Sequence, residues 1–494
     1  MNESTMKDEN PSATKRPKIS TESEIEKSSK STQEGVNLYS GFTLSKEYLD
    51  QNVIPILDTL PSPRDFFEQY IKPRKPCVLK GALKKAADGT TNEVYAEFAK
   101  LYRSWPNLEY LKDKAGRAHV HCEKRSNLQT RFGRAREEGE VVMPFGALID
   151  KALSYQSSKK DVGESDDPRL YYLTTQPLTL DEEDRPAIVS SPLTTLTEDF
   201  SIRPALAGNL IPMNCNLWMG FSSKSTSGMH HDFHDNFNCV LHGKKTFVLY
   251  SPDVALEMPT NGKISKIHPN GRFWYEGDGE CAPDGAELEA LQAFEASQQA
   301  RQAELELEAA EEAVENKEPG AEERLEKAEA AMQSALDKVL HAEAENRSEG
   351  DDDAQEQGLF GKDGKFLDKV DYDAMDDEPD ESDSDEEDQT LQPLSDDMKQ
   401  GALKNFCTVS SKDVSQFAKI SVDVEGGDIV FLPTGWFHEV TSWASRKEKD
   451  GPEYHLAFNY WFHPPDSPNF DKPYTSQFWS NNWDERQSST EKDK

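Results

Sequence analysis

Between residues 281 and 400 the chain carries 39 Asp and Glu side chains against 10 Lys and Arg, a net charge of −29 in 120 residues. Such a stretch cannot enter a core, because unpaired charge taken out of water costs more than its sparse apolar residues return. Any core must therefore be closed by two pieces of chain that meet across an excursion standing outside it. The whole 494-residue chain has a formal charge of −36, so the remainder holds only −7. At ~150 residues per domain the length would suggest about three domains. The charge distribution instead indicates one sizeable folded unit, a long acidic insertion and polar tails.

Inside the insertion, residues 286–317 and 321–347 are rich in Ala, Glu, Leu and Gln, with Pro319-Gly320 breaking them apart. Leu325, Ala328, Met332, Leu336 and Val339 recur every three or four residues, which predicts an exposed helical hairpin or coiled-coil arm. The runs DDDAQEQ and DYDAMDDEPDESDSDEED that follow are expected to be solvated and disordered. Residues 1–36 and 481–494 are polar and are expected to be disordered tails. The first contains Lys15-Arg16-Pro17-Lys18, a basic cluster of the nuclear-import kind.

Several classes are excluded. No run approaches the ~20 apolar residues of a membrane-spanning helix, and MNESTMKDEN lacks the apolar stretch of a signal peptide. Six cysteines (77, 122, 215, 239, 281 and 407) are scattered without a CxxC pair, which argues against a zinc module or a disulfide framework. The expectation is an intracellular protein, nuclear in preference to cytoplasmic, with no membrane contact. Strong acidity also argues against direct nucleic-acid binding.

The remaining segments read as helices first and strands later. Ser62-Pro63 ahead of RDFFEQYI is an N-cap with a first-turn proline. Residues 94–103 and 144–153 show helical spacing. CVLKG (77–81) and segments 171–178, 214–221, 237–243, 246–252, 428–433 and 455–462 read as strands. This order points to an α+β protein built around a β-sandwich or barrel.

The chemistry concentrates in Gly228-Met-His230-His231-Asp232-Phe-His234-Asp235-Asn236-Phe237. On a strand, His230 and Asp232 would share one face and His231 the other. An imidazole and a carboxylate side by side are two thirds of the 2-His-1-carboxylate triad that holds non-haem iron with positions left open. The downstream run Gly427-Asp428-Ile-Val-Phe-Leu-Pro433-Thr-Gly435-Trp436-Phe437-His438 offers the third ligand from a second strand.

Together these stretches resemble the JmjC family of Fe(II)/2-oxoglutarate oxygenases, with their cupin-like fold. The H-x-D, N-F and G-x-K elements, G-D-x-x-F-x-P-x-G-W-x-H, and Asn459-Tyr460-Trp461 fall in family order over about 60–270 and 400–470. The resemblance is greatest to the small protein hydroxylases. It implies a double-stranded β-helix (a jelly-roll barrel) spanning 178–480, interrupted by 281–400 and preceded by an α/β part over 37–177. It further implies His230, Asp232 and His438 as iron ligands. Lys245 and Tyr172 would hold the distal carboxylate of 2-oxoglutarate, while Ser227, Asn236 and Asn459 would line the cosubstrate pocket. O2 is the second cosubstrate. The implied reaction is hydroxylation of a protein side chain. Histone lysine demethylation and a non-catalytic adaptor are the alternatives. A basic substrate, a histone or a ribosomal or translation-associated protein, fits the acidic arm.

Overall fold

Ser62 opens the ordered helices by accepting a hydrogen bond from the Asp65 N–H, which caps α1 (Pro63–Phe66), and one π turn, Phe67–Ile71, continues it. The computed structural model describes residues 36–44, 54–128, 131–132, 139–157, 167–180, 185–348, 403–447, 449 and 451–492. The basic cluster at 15–18 and the acidic run at 351–400 lie outside these. Five further helices precede the barrel proper: α2 (Ala82–Ala87), α3 (Glu93–Ala96), α4 (Ala99–Ser104), α5 (Leu108–Ala115) and α6 (Phe145–Ser157).

Strands β1 (Ile56–Leu57), β2 (Cys77–Leu79), β3 (His119–Lys124), β4 (Glu140–Pro144) and β5 (Tyr171–Leu173) come from the same region. Then follow β6 (Pro212–Gly220), β7 (Ser225–Thr226), β8 (Asp235–His242), β9 (Lys244–Tyr250), β10 (Ile264–Ile267) and β11 (Phe273–Tyr275). Beyond the insertion lie β12 (Ile420–Glu425), β13 (Ile429–Leu432), β14 (Phe437–Trp443), β15 (Ser445–Arg446) and β16 (Glu453–Phe462).

The large sheet runs β1-β2-β13-β8-β16-β6-β5-β3-β4 with β15 on β16, and the smaller one runs β12-β9-β14-β7. Both sheets interleave strands from before and after the acidic excursion: β13 lies between β2 and β8, and β9 between β12 and β14. Neither piece can complete a sheet alone. Residues 37–177, read from sequence as a part packing on the barrel, supply five strands of the large sheet, and Tyr172 of β5 pairs in register with Gly220 of β6.

Side-chain alternation then sorts the large sheet into two faces. Phe237, Cys239 and Leu241 of β8 join Tyr454, Leu456, Phe458, Tyr460 and Phe462 of β16 in a buried cluster with Phe66, Trp105 and Phe145 from the helical layer. Each such fully buried side chain stabilises the fold by about 1.5–3 kcal/mol. A second cluster (Val240, Val430 and Leu432 with Phe247, Leu249, Ile420 and Val422) fills part of the space between the sheets. The rest of the inner face is polar and buried, with Asn214, Asn216, Asn236, Asn238, His455 and Asn459.

The insertion begins with α7 (Leu288–Glu315) and α8 (Ala321–Ser348). Ala296, Ala303 and Ala310 repeat every seven residues on one helix, as do Ala321, Ala328 and Ala335 on the other, and all six are buried. Alanine lets two helices approach closely, and Lys338 donates across the hairpin to Gln299 at 2.7 Å. Leu336, which the spacing argument put on the packed face, is instead exposed, because the alanine seam takes that role. The second tail also differs from expectation: α9 (Phe478–Lys492) covers most of 481–494. Its aromatic residues supply the reason. Trp479 stacks on His463 at 3.4 Å and Phe478 meets Phe294 of α7 edge-on at 5.5 Å. Among the described residues, no helix is long and apolar enough to cross a membrane, and the six cysteines are free thiols.

Candidate metal centre and adjoining pocket

His230 and Asp232 do not lie on a strand. They occupy the connection between β7 and β8, where His230 forms a single antiparallel bridge with His438. The His230 N–H donates to the His438 carbonyl at 3.0 Å, and the His438 N–H returns the bond at 2.7 Å. The turn before β14 is stapled to the same loop: Gly435 N–H and Thr434 Oγ1 both donate to the Asp232 carbonyl, at 3.0 and 3.1 Å. Gly435 has φ of 76°, and a Cβ there would sit 2.0 Å from the Gly271 carbonyl, so only glycine makes this turn. Beneath it, buried Asp235 accepts from the Thr434 N–H at 3.0 Å and from both terminal nitrogens of buried Arg74.

These constraints converge three donor atoms. The Nε2 atoms of His230 and His438 lie 4.0 and 3.8 Å from the two Asp232 oxygens. Across the trio all ligand atoms fall within 4.8 Å of one another. His230 Nδ1 faces the Gly228 carbonyl at 2.8 Å and His438 Nδ1 the Trp436 carbonyl at 2.9 Å. A carbonyl can only accept, so the proton resides on Nδ1 and the Nε2 lone pair faces the aspartate. Burial, with the His438 ring adding to it, lowers the His230 pKa to about 4, so this imidazole is neutral near pH 7.

Asp232 is oriented by a directed chain. Trp218 Nε1 donates to Asn459 Oδ1 at 2.8 Å, Asn459 Nδ2 to Asn236 Oδ1 at 3.1 Å, and Asn236 Nδ2 to Asp232 Oδ2 at 3.1 Å. The indole can only donate, which fixes both amides. Asn236 and Asn459 are thus committed to holding the carboxylate. We expect Asn459→Ala to weaken metal affinity by about 10- to 100-fold with little change in fold, as measured by competition against a chelating dye.

Lys245 comes from β9 and lies opposite Ser442 of β14. It is 5% exposed and donates to Ser442 Oγ at 3.2 Å. Among the described residues no carboxylate is a hydrogen-bond or ion-pair partner of Lys245, and burial alone lowers its pKa to about 8. Tyr172 of β5 joins this end, its pKa raised by burial, with Ser442 acting on its hydroxyl in the opposite sense. Ser442 and His438 are four residues apart on one face of β14, about 13 Å along the strand. Ser227 precedes the metal-ligand loop. Its hydroxyl accepts from the Val440 N–H at 3.2 Å and so closes the edge of β14.

His231 is buried among Phe233, Phe273 and Phe437, with Nε2 at 2.6 Å from the Tyr275 hydroxyl. His234 stacks on Trp461, and His242 Nε2 sits 3.0 Å from the Ser445 carbonyl. Ser442 escaped the sequence reading, although alternation from His438 would have found it. Phe406 had no such signal. It lies just after the insertion and stacks on the His230 ring at 4.5 Å with a 7° interplanar angle.

Residues 63–468 match the family described as the cupin-like domain. The chain is 31% identical to the JmjC domain-containing protein 4 of Schizosaccharomyces pombe over 85% of this chain and 87% of that one. More distant similarity, 24% over 40% of this chain and 54% of the relative, is found to the human bifunctional peptidase and (3S)-lysyl hydroxylase JMJD7. The Arabidopsis thaliana lysine-specific demethylase JMJ31 is 25% identical over 33% of this chain and 32% of its own.

Proposed function

The chain belongs to the cupin-like JmjC family, and from that premise we propose that it is an Fe(II)- and 2-oxoglutarate-dependent dioxygenase hydroxylating a side chain of a protein substrate. The observation that carries this reading is a pair of unmet demands on the inner barrel face. Three donor atoms converge with two imidazole lone pairs directed inward, and a buried ammonium on the neighbouring strand has no carboxylate partner among the described residues. A divalent iron and a dicarboxylate satisfy both, and a buried lysine cation is otherwise costly to keep.

In this reading His230, Asp232 and His438 would hold the metal. The bound iron supplies the oxygen chemistry, in which O2 and 2-oxoglutarate yield succinate, CO2 and one oxygen atom on the substrate. Lys245, Tyr172 and Ser442 anchor the distal carboxylate of the cosubstrate, and the Trp218–Asn459–Asn236 chain keeps Asp232 aimed. Lys245→Met is expected to weaken 2-oxoglutarate binding by about 10- to 100-fold, the worth of a hydrogen bond to a charged group, with metal content unchanged. Calorimetric titration of the metal-loaded protein checks this.

The negative charge of the insertion supports a basic protein substrate such as a histone or a ribosomal protein, and the cluster at 15–18 supports a nuclear location. Lysine demethylation is the competing reading, favoured by the name of the Arabidopsis relative. Mass spectrometry of a treated basic peptide separates the two: one added oxygen for hydroxylation, one lost methylene for demethylation. Fe(II)- and 2-oxoglutarate-dependent succinate formation is the primary test. Its complete absence with and without peptides would favour a non-catalytic adaptor.

A further inference from the structure

His455 is 1% exposed, and neither of its ring nitrogens has a hydrogen-bond partner among the described residues. A buried imidazole without partners loses the free energy of its solvation for no return, so its surroundings call for an explanation. It stands on the inner face of β16, paired in register with Gly220 of β6, which is in turn paired with Tyr172 of β5. The missing side chain of Gly220 makes room for the ring: a Cβ there would lie 2.5 Å from His455 Nε2 and 3.2 Å from Tyr172 Cδ2. The Tyr172 and His455 ring centroids are 5.7 Å apart. Ala457, next on the same face of β16, is paired with Trp218 of β6 on the way to Asn459. The charge of Lys245 acts on the imidazole and, after burial, is the largest influence keeping it neutral. An imidazole with free nitrogens, a buried ammonium without an anion and a phenol thus share one end of the barrel interior.

We infer that His455 is a fourth member of the carboxylate-binding end of this pocket, donating a ring N–H to the distal carboxylate that Lys245, Tyr172 and Ser442 receive. The inference rests on the oxygenase reading and adds to dicarboxylate selectivity a residue that the family motifs do not supply. A neutral imidazole suits the role, since with Lys245 already charged it provides a hydrogen bond without a second buried cation.

The test compares 2-oxoglutarate with 2-oxovalerate, the same keto acid with a methyl group in place of the distal carboxylate, by anaerobic calorimetry on Mn(II)-loaded protein. His455→Phe keeps the ring volume and removes both nitrogens. It is expected to weaken 2-oxoglutarate binding about tenfold and to leave 2-oxovalerate unchanged, with partial recovery in His455→Gln. Equal loss for both ligands, or none for 2-oxoglutarate, would assign His455 to packing and overturn the inference. If Lys245→Met removes the preference for 2-oxoglutarate while His455→Phe retains it, this inference alone fails. If the wild-type protein shows no preference, the oxygenase reading and the inference fall together.

Discussion

Replacing His438 by alanine is expected to abolish 2-oxoglutarate-dependent succinate formation together with iron binding, and His230→Ala and Asp232→Ala should do the same. Each residue contributes one of three converging donor atoms, and the trio has no fourth member among the described residues. A hydrogen-bonding partner behind a ligand is already worth about 10- to 100-fold in metal affinity, so a ligand itself is worth more. The fold should survive, because the His230–His438 pairing uses backbone atoms that alanine retains. Iron content, succinate yield and denaturant midpoint measured on the same preparations separate loss of chemistry from loss of structure. Near wild-type turnover in all three variants would overturn the assignment.

The largest expected effect on stability is at Asp235. Its side chain is fully buried and opposes an Arg74 side chain that is 4% exposed. It also accepts from the Thr434 N–H in the turn that leads to His438. Asp235→Ala would strand a guanidinium and a backbone donor out of reach of water, at a cost of about 3–5 kcal/mol. Urea unfolding should show this as a lowered midpoint with little change in slope. The double variant Arg74→Met/Asp235→Leu should recover most of the loss, since a buried ion pair is replaceable by apolar packing. A deficit of about 1–3 kcal/mol should persist from the orphaned Thr434 donor. A single variant as stable as the wild type would mean that the pair does not lock the two motifs together.

Much of the barrel was legible because alternation in a strand is a local property. Phe237, Cys239 and Leu241 against Asn236 and Asn238 already separate an outer apolar face from a more polar inner one. What misled was composition without partners. Residues 481–494 look like a polar tail until Phe478 and Trp479 are seen to dock on Phe294 and His463. Leu336 fits a helical stripe in sequence, yet the hairpin packs through alanines seven apart, and only the partner helix decides which stripe is used. Asn236, Asn459 and Ser227 were recognisable as polar groups near the pocket. Their acceptors and donors come from other strands, and so the relay to Asp232 and the bond to Val440 were not readable.

Sequence alone determined the donor types, their order and the concentration of negative charge in residues 281–400, because charge density, side-chain chemistry and strand periodicity are written in the chain itself. Only the tertiary structure decided that His230 and His438 bond each other's backbones, that Lys245 lies buried without an acidic partner among the described residues, and that His455 fills the gap left by Gly220. Those facts depend on strand register between segments more than two hundred residues apart. Register is set by the summed packing of both sheets, to which no single stretch of sequence has access.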